Sequence, residues 1–98
     1  MSESETEPEF ARIRLIIRGR VQGVGFRFAA CDEAKNLAIA GWVRNSANGN
    51  VEIVAEGRRE DLQMLAEWAH RGPTYARVDD VSEEWLSYSG ELKDFAIR

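Results

Sequence analysis

Apolar residues alternate with arginines between Ala11 and Arg20. Ile13, Leu15 and Ile17 fall on one side, and Arg12, Arg14 and Arg18 on the other. A period of two predicts a strand buried on one face. Glycines 23 and 25 then punctuate a loop over residues 20–27. Arg27–Ala38 reads as a helix, because Phe26, Ala30, Ala34 and Leu37 recur at spacings that stack on one helical face. Ile39–Asn45 and Asn50–Ala55 read as two strands. Asn48-Gly49 lies between them and tolerates the positive φ of a hairpin turn. Arg59–Arg71 predicts a second helix with the stripe Leu62, Leu65, Ala66 and Ala69. Glu60 and Asp61 complement the dipole of its first turn, and Gly72-Pro73 stops it. Arg77–Ser87 predicts a longer strand and Asp94–Arg98 a possible short terminal one.

The order is βαββαβ, with the possible final strand. The helix-bearing connections are long enough to act as crossovers. The expected class is α+β, a ferredoxin-like two-layer α/β sandwich with two helices on one face of an antiparallel sheet. One apolar stripe per helix suits one covered and one solvated sheet face.

At 98 residues the chain allows one small domain and excludes folds that need about 250 residues. Residues 10–98 are the expected domain. Residues 1–9, with four Glu and no base, read as a disordered acidic tail. One cysteine, Cys31, and one histidine, His70, leave no intrachain disulfide and argue against a metal cage, so no metal and no cofactor are expected. The N-terminus lacks an apolar secretory segment, and no apolar run approaches the ~20 residues of a membrane span. A monomer in the cytoplasm is the expectation. The net charge of −4 argues against a nucleic-acid partner.

That mean hides a pattern. Residues 10–50 hold seven bases and two acids, whereas residues 51–98 hold six bases and eleven acids. From Phe10 to Cys31 there are five arginines and no acid. Within this stretch a strand, a glycine loop and a helix start follow one another. Glycines let successive N–H groups turn inward around an anion, and a helix N-terminus adds free donors and partial positive charge. Arg27 at that helix start opposes the dipole, and an anion held between loop and guanidinium reverses the sign. Plain turn chemistry and solvated arginines are the alternative. The pattern is neither a P-loop nor a dinucleotide fingerprint, lacking Gly-Lys-Ser/Thr and the glycine spacing respectively.

Other candidates are weaker. Cys31 reads as a small helix hydrophobe. His70 reads as a complement to its helix's C-terminal dipole rather than as a base. Asn45, at a strand end, is either a turn former or an amide that orients a water without titrating.

Gly19-Arg20-Val21-Gln22-Gly23-Val24-Gly25-Phe26-Arg27 and Gly41-Trp42-Val43-Arg44-Asn45-Ser46, followed by Asn48-Gly49-Asn50-Val51-Glu52, closely resemble the two signature segments of the acylphosphatases. Ala55-Glu56-Gly57, Glu67-Trp68, Gly72-Pro73, Ala76-Arg77-Val78 and Phe95-Ala96-Ile97-Arg98 extend the resemblance over residues 10–98. It implies an enzyme that hydrolyses the carboxyl–phosphate bond of small acyl phosphates to carboxylate and inorganic phosphate, without a metal. By match to the motif, Arg27 binds the phosphate. The backbone of Val21, Gln22, Gly23, Val24, Gly25 and Phe26 cradles it, and Asn45 orients the attacking water. The phosphate itself accepts the water's proton.

Arg58, and the run Phe28-Ala29-Ala30, depart from the usual pattern without touching Arg27 or Asn45. The alternative is a non-catalytic module of the same fold that binds phosphate or carbamoyl phosphate, as in larger carbamoyl-phosphate-using maturation proteins. An RNA-recognition domain shares the element order, but the central-strand aromatics are absent from Asn50–Gly57 and the charge is wrong.

Overall fold

The structure, a computed structural model, describes residues 9–98. The tail expected over residues 1–9 lies outside them except for Glu9, whose carbonyl accepts the Arg59 N–H at 2.8 Å. The elements run β1 (Phe10–Arg20), α1 (Phe26–Asn36), β2 (Ala40–Asn45), β3 (Val51–Arg58), α2 (Arg59–Arg71), β4 (Arg77–Leu86) and β5 (Phe95–Ile97). The sheet order is β4-β1-β3-β2-β5. Strand β3 lies antiparallel between β1 and β2, so β1 and β2 run parallel to each other. Their C-terminal ends therefore share one end of the sheet.

The core lies between the helices and one sheet face. Ile13, Leu15 and Ile17 of β1, Val43 of β2, and Val51, Ile53 and Ala55 of β3 meet Phe26, Ala30 and Ala34 of α1 and Leu62, Leu65, Ala66 and Ala69 of α2. Those from β1, α1 and α2 are residues that the two periodicities select.

Three expectations change. The sheet is mixed rather than antiparallel, because β5 pairs parallel to β2. After β4 at one edge, the chain crosses to the opposite edge before forming β5. Helix α1 ends at Asn36 rather than Ala38. Ala38 adopts φ 56°, its N–H donates to the Lys35 carbonyl, and the Ile39 N–H donates to the Ala34 carbonyl. This is a Schellman ending with alanine in the place usually taken by glycine, so no glycine marked the stop.

The second sheet face is not solvated at its centre. On β3, Glu52 and Glu56 are only 5% and 3% exposed. Glu52 accepts from Arg14 Nε at 2.7 Å and from Arg44 Nε at 2.8 Å. Glu56 accepts from Arg12 Nη1 at 3.0 Å, from the Ser89 N–H at 2.8 Å and Oγ at 2.9 Å, and from the Gly90 N–H at 3.1 Å. The segment crossing from β4 to β5 is thus tied to the centre of the sheet by one carboxylate. Burial disfavours the charged form of both glutamates, but hydrogen bonds from the arginines, and from Ser89 and Gly90 for Glu56, outweigh it and hold both carboxyls below their ordinary value.

Truncating Glu56 to alanine should lower stability by roughly 1.5–3 kcal/mol, the range for hydrogen bonds to a charged group, measured by urea denaturation. A carboxyl with a lowered folded pKa binds fewer protons folded than unfolded, so its stabilising effect is present above about pH 4.5 and fades as pH falls through the folded value. The wild-type urea midpoint should drop on acidification below that point, and Glu52→Gln should show a shallower drop.

Candidate active site

The loop after β1 is shaped by two glycines in the left-handed region, Gly23 at φ 75° and Gly25 at φ 79°. Gly25 is the N-cap of α1 and contributes no side-chain cap, and no acid lies in the first turn. The first helical bond runs from the Ala29 N–H to the Gly25 carbonyl at 3.0 Å. Among the described residues, no protein acceptor takes the N–H groups of Gly23 through Phe28. Several backbone donors therefore gather at a helix end that carries partial positive charge.

Two anchors fix this loop. Val21 is buried where the loop leaves β1. Phe26, the first residue of α1, is also buried and packs on Trp68 of α2, with ring centroids 5.2 Å apart. Gly72 closes around the same ring, and a Cβ there would lie 2.9 Å from Phe26 Cε2. The uncapped helix start is thereby held by packing.

Arg27 is the second residue of α1 and is half-buried. It makes no ion pair among the described residues, unlike Arg12, Arg14, Arg18 and Arg44. Asn45 is the last residue of β2. It is opposite Val51 of β3, which in turn is opposite Ile17 of β1. By strand alternation Asn45 shares the helix-facing side with Gly41 and Val43. Its side-chain Oδ1 is buried and has no hydrogen-bond partner among the described residues. An unpaired buried acceptor costs about 1–3 kcal/mol, so a donor reaching this oxygen would be stabilising.

Gln22 links the two halves. Its Nε2 donates to the carbonyls of Ser46 and Asn50, each at 2.8 Å. These carbonyls sit at the base of the β2–β3 hairpin, where the Ser46 N–H donates to the Asn50 carbonyl at 2.8 Å and Gly49 takes φ 92°. The loop and the strand end bearing Asn45 are therefore joined, not merely at the same end of the sheet. Sequence reading placed Gln22 only as a backbone donor. Its side chain bridges across more than twenty residues, and no local periodicity reports such a contact.

The other candidates stay apart from this site chemically. Cys31 is buried, with Sγ 3.7 Å from the Phe95 carbonyl. His70, near the end of α2, meets Glu83 of β4 at 2.9 Å, an exposed pair. Among the described residues, no three His, Cys, Asp or Glu side chains converge where a metal ion could be held.

A family model described as Acylphosphatase matches residues 13–97. An acylphosphatase of Anaeromyxobacter sp. (strain Fw109-5) is 50% identical over 90 residues, covering 92% of this chain and 97% of its own. The crystal structure of acylphosphatase from Bacillus subtilis superposes with a TM-score of 0.87 at 39% identity, covering 90% of this chain and 98% of that one. Full-length HypF, in a phosphate- and nucleotide-bound form, matches with a TM-score of 0.85 at 27% identity. That match covers 94% of this chain but 12% of the HypF chain.

The glycines separate local strain from packing. Around Gly25 a Cβ meets nothing within 4 Å, so Gly25→Ala carries only the left-handed backbone penalty, roughly 1–2 kcal/mol. Gly19, at φ 131°, has Arg77 O only 2.2 Å from where a Cβ would stand, so Gly19→Ala must also break the β1–β4 pairing. Urea denaturation should show Gly25→Ala folded and mildly weakened, and Gly19→Ala at least twice as destabilised.

Proposed function

The chain belongs to the acylphosphatase family and hydrolyses acyl phosphates, and from that premise we propose how its residues divide the work. Arg27 and the backbone amides of Val21, Gln22, Gly23, Val24, Gly25 and Phe26 bind the phosphate. Asn45 orients the water. The observation that supports this reading is two unspent features at one end of the sheet: among the described residues, N–H groups without a protein acceptor at the start of α1, where Arg27 makes no ion pair, and a buried Asn45 amide oxygen without a donor.

The chemistry follows from those groups. An acyl phosphate is a mixed anhydride whose carboxylate leaves readily, so positioning and charge stabilisation suffice. The loop amides and Arg27 hold the phosphoryl oxygens, where charge redistributes in the transition state. Asn45 Oδ1 accepts one O–H of the water, which turns a lone pair of the water oxygen toward phosphorus. The new P–O bond forms as the bond from phosphorus to the carboxyl oxygen breaks. The carboxylate departs with the bonding pair, and both water protons end on the released phosphate. No side chain near the loop is asked to act as a base, and no step needs a metal or a cofactor.

Supporting features extend to the surroundings. The substrate is a small molecule. The net charge of −4 disfavours a nucleic-acid partner, and no helix among the described residues is long and apolar enough to cross a membrane. Within this reading the chain acts as a cytoplasmic monomer.

Hydrolysis of benzoyl phosphate in the presence of a chelator tests the assignment. The wild type should turn over; phosphate binding without turnover would restore the binding-module reading. Arg27→Ala should lose about 100-fold or more in kcat/KM and weaken inhibition by inorganic phosphate, because donor removal at such sites costs 10²–10³. Asn45→Ala should lose a similar factor, about 100-fold, in kcat, while phosphate inhibition changes less than about threefold. Equal collapse of phosphate affinity in both variants would overturn the division of roles.

A further inference from the structure

We propose that the Gln22 side chain is a positioning residue for hydrolysis, fixing the distance between the phosphate cradle and the amide of Asn45. The inference rests on the site reading above. Its basis is the use of both amide hydrogens. Gln22 Nε2 spends them on two carbonyls 24 and 28 residues away, Ser46 O and Asn50 O, each at 2.8 Å.

Those acceptors are not incidental surface carbonyls. Ser46 O also closes the hairpin turn by accepting the Gly49 N–H at 3.2 Å. Asn50 O accepts the Ser46 N–H at 2.8 Å and Ser46 Oγ at 3.2 Å. Ser46 is thus held at its N–H and its carbonyl, and the residue immediately before it is Asn45. A shift of the hairpin relative to the loop moves Asn45 relative to the cradle.

Beyond the pairing of Ile17 and Asn45 to Val51 and the packing of Val21 and Phe26, the two Gln22 bonds are the only hydrogen bonds joining loop to hairpin among the described residues. Gly23, Gly25 and Gly49 bring no side chain to the junction, and a Cβ on any of the three meets nothing within 4 Å. The glycine backbone there is locally permissive, so a carboxamide with two donors completes the placement that the sheet pairing begins. In-line attack requires the water and phosphorus to sit near 3 Å with aligned orbitals, and a misplacement of about 1 Å costs on the order of 100-fold. A bridge of this kind acts on the attack geometry more than on the affinity of the cradle.

A purely structural staple makes a different prediction, and Gln22→Met separates the two. Methionine keeps the length of the side chain and removes both donors. On benzoyl phosphate, Gln22→Met should lower kcat about 10-fold or more, with KM and phosphate inhibition within about threefold of wild type. In an Asn45→Ala background the same substitution should cost less than about twofold, because its effect runs through Asn45. Gln22→His keeps one donor and should fall between wild type and Gln22→Met; it carries the test if the methionine variant does not fold, as judged by urea denaturation. Wild-type kcat in Gln22→Met, or the same fold loss with and without Asn45, overturns the proposal. If Arg27→Ala and Asn45→Ala themselves keep full activity, the site reading fails instead, which the single variants report independently.

Discussion

Helix α1 begins on a glycine, and its first N–H groups have no capping side chain to receive them. Most helix starts relieve this with Ser, Thr, Asp or Asn, or with an acid in the first turn. Here the second residue of the helix is Arg27, which adds charge of the same sign as the helix end. Two local rules are broken at one point, and neither is compensated among the described residues. Such a conflict is resolved when an anion sits between the loop and the guanidinium. It also explains why the start of α1 is pinned by other means. Phe26 is wedged between Trp68 and Gly72, so the donors stay aimed although no cap orders them.

The topology supplies the second half of the site. Strands β1 and β2 are parallel only because β3 is inserted between them. A direct β1–β2 hairpin would have put Asn45 at the far end of the sheet from the loop. The α1 crossover returns the chain so that both strands point the same way and both finish beside the helix N-terminus. The hairpin after Asn45 then folds toward the loop, where Gln22 takes its two carbonyls. Sequence order, strand direction and the site are thus one constraint.

Periodicity made most of the fold legible. The alternation of Ile13, Leu15 and Ile17 with arginines, and the stripe through Leu62, Leu65, Ala66 and Ala69, report burial directly, and the core is made of these residues. The family resemblance rested on two motifs and is borne out by the match over residues 13–97. What failed to show was non-local. Nothing in Phe95-Ala96-Ile97 states which edge it joins or in which direction, so the mixed sheet was not anticipated. Ala38 ends α1 through a backbone conformation that alanine seldom adopts, and composition does not announce it. The sheet face away from the helices was expected to be solvated, yet Glu52 and Glu56 on it are buried. They are buried because arginines from neighbouring strands and the crossing segment cover them, partners up to 44 residues distant.

Those buried glutamates also settle how a protein of charge −4 can hold a phosphate. The arginines of the basic first half are not equivalent. Arg12, Arg14, Arg18 and Arg44 face carboxylates on the sheet side away from the helices. Their charge is spent on Glu56, Glu52 and Asp80. Arg27 makes no ion pair among the described residues, and it belongs to the helix start whose first N–H groups have no protein acceptor there. Distant acids act through water and salt, which screen them beyond about 8–10 Å, whereas amides and a guanidinium in contact with the anion are not screened. The sign of the whole chain therefore does not report the local charge at the loop. Glu52 and Glu56 are held by arginines, Ser89 and Gly90 and are not free to serve as bases. Under the proposed roles, the phosphoryl group of the substrate is then left to take the water's proton itself.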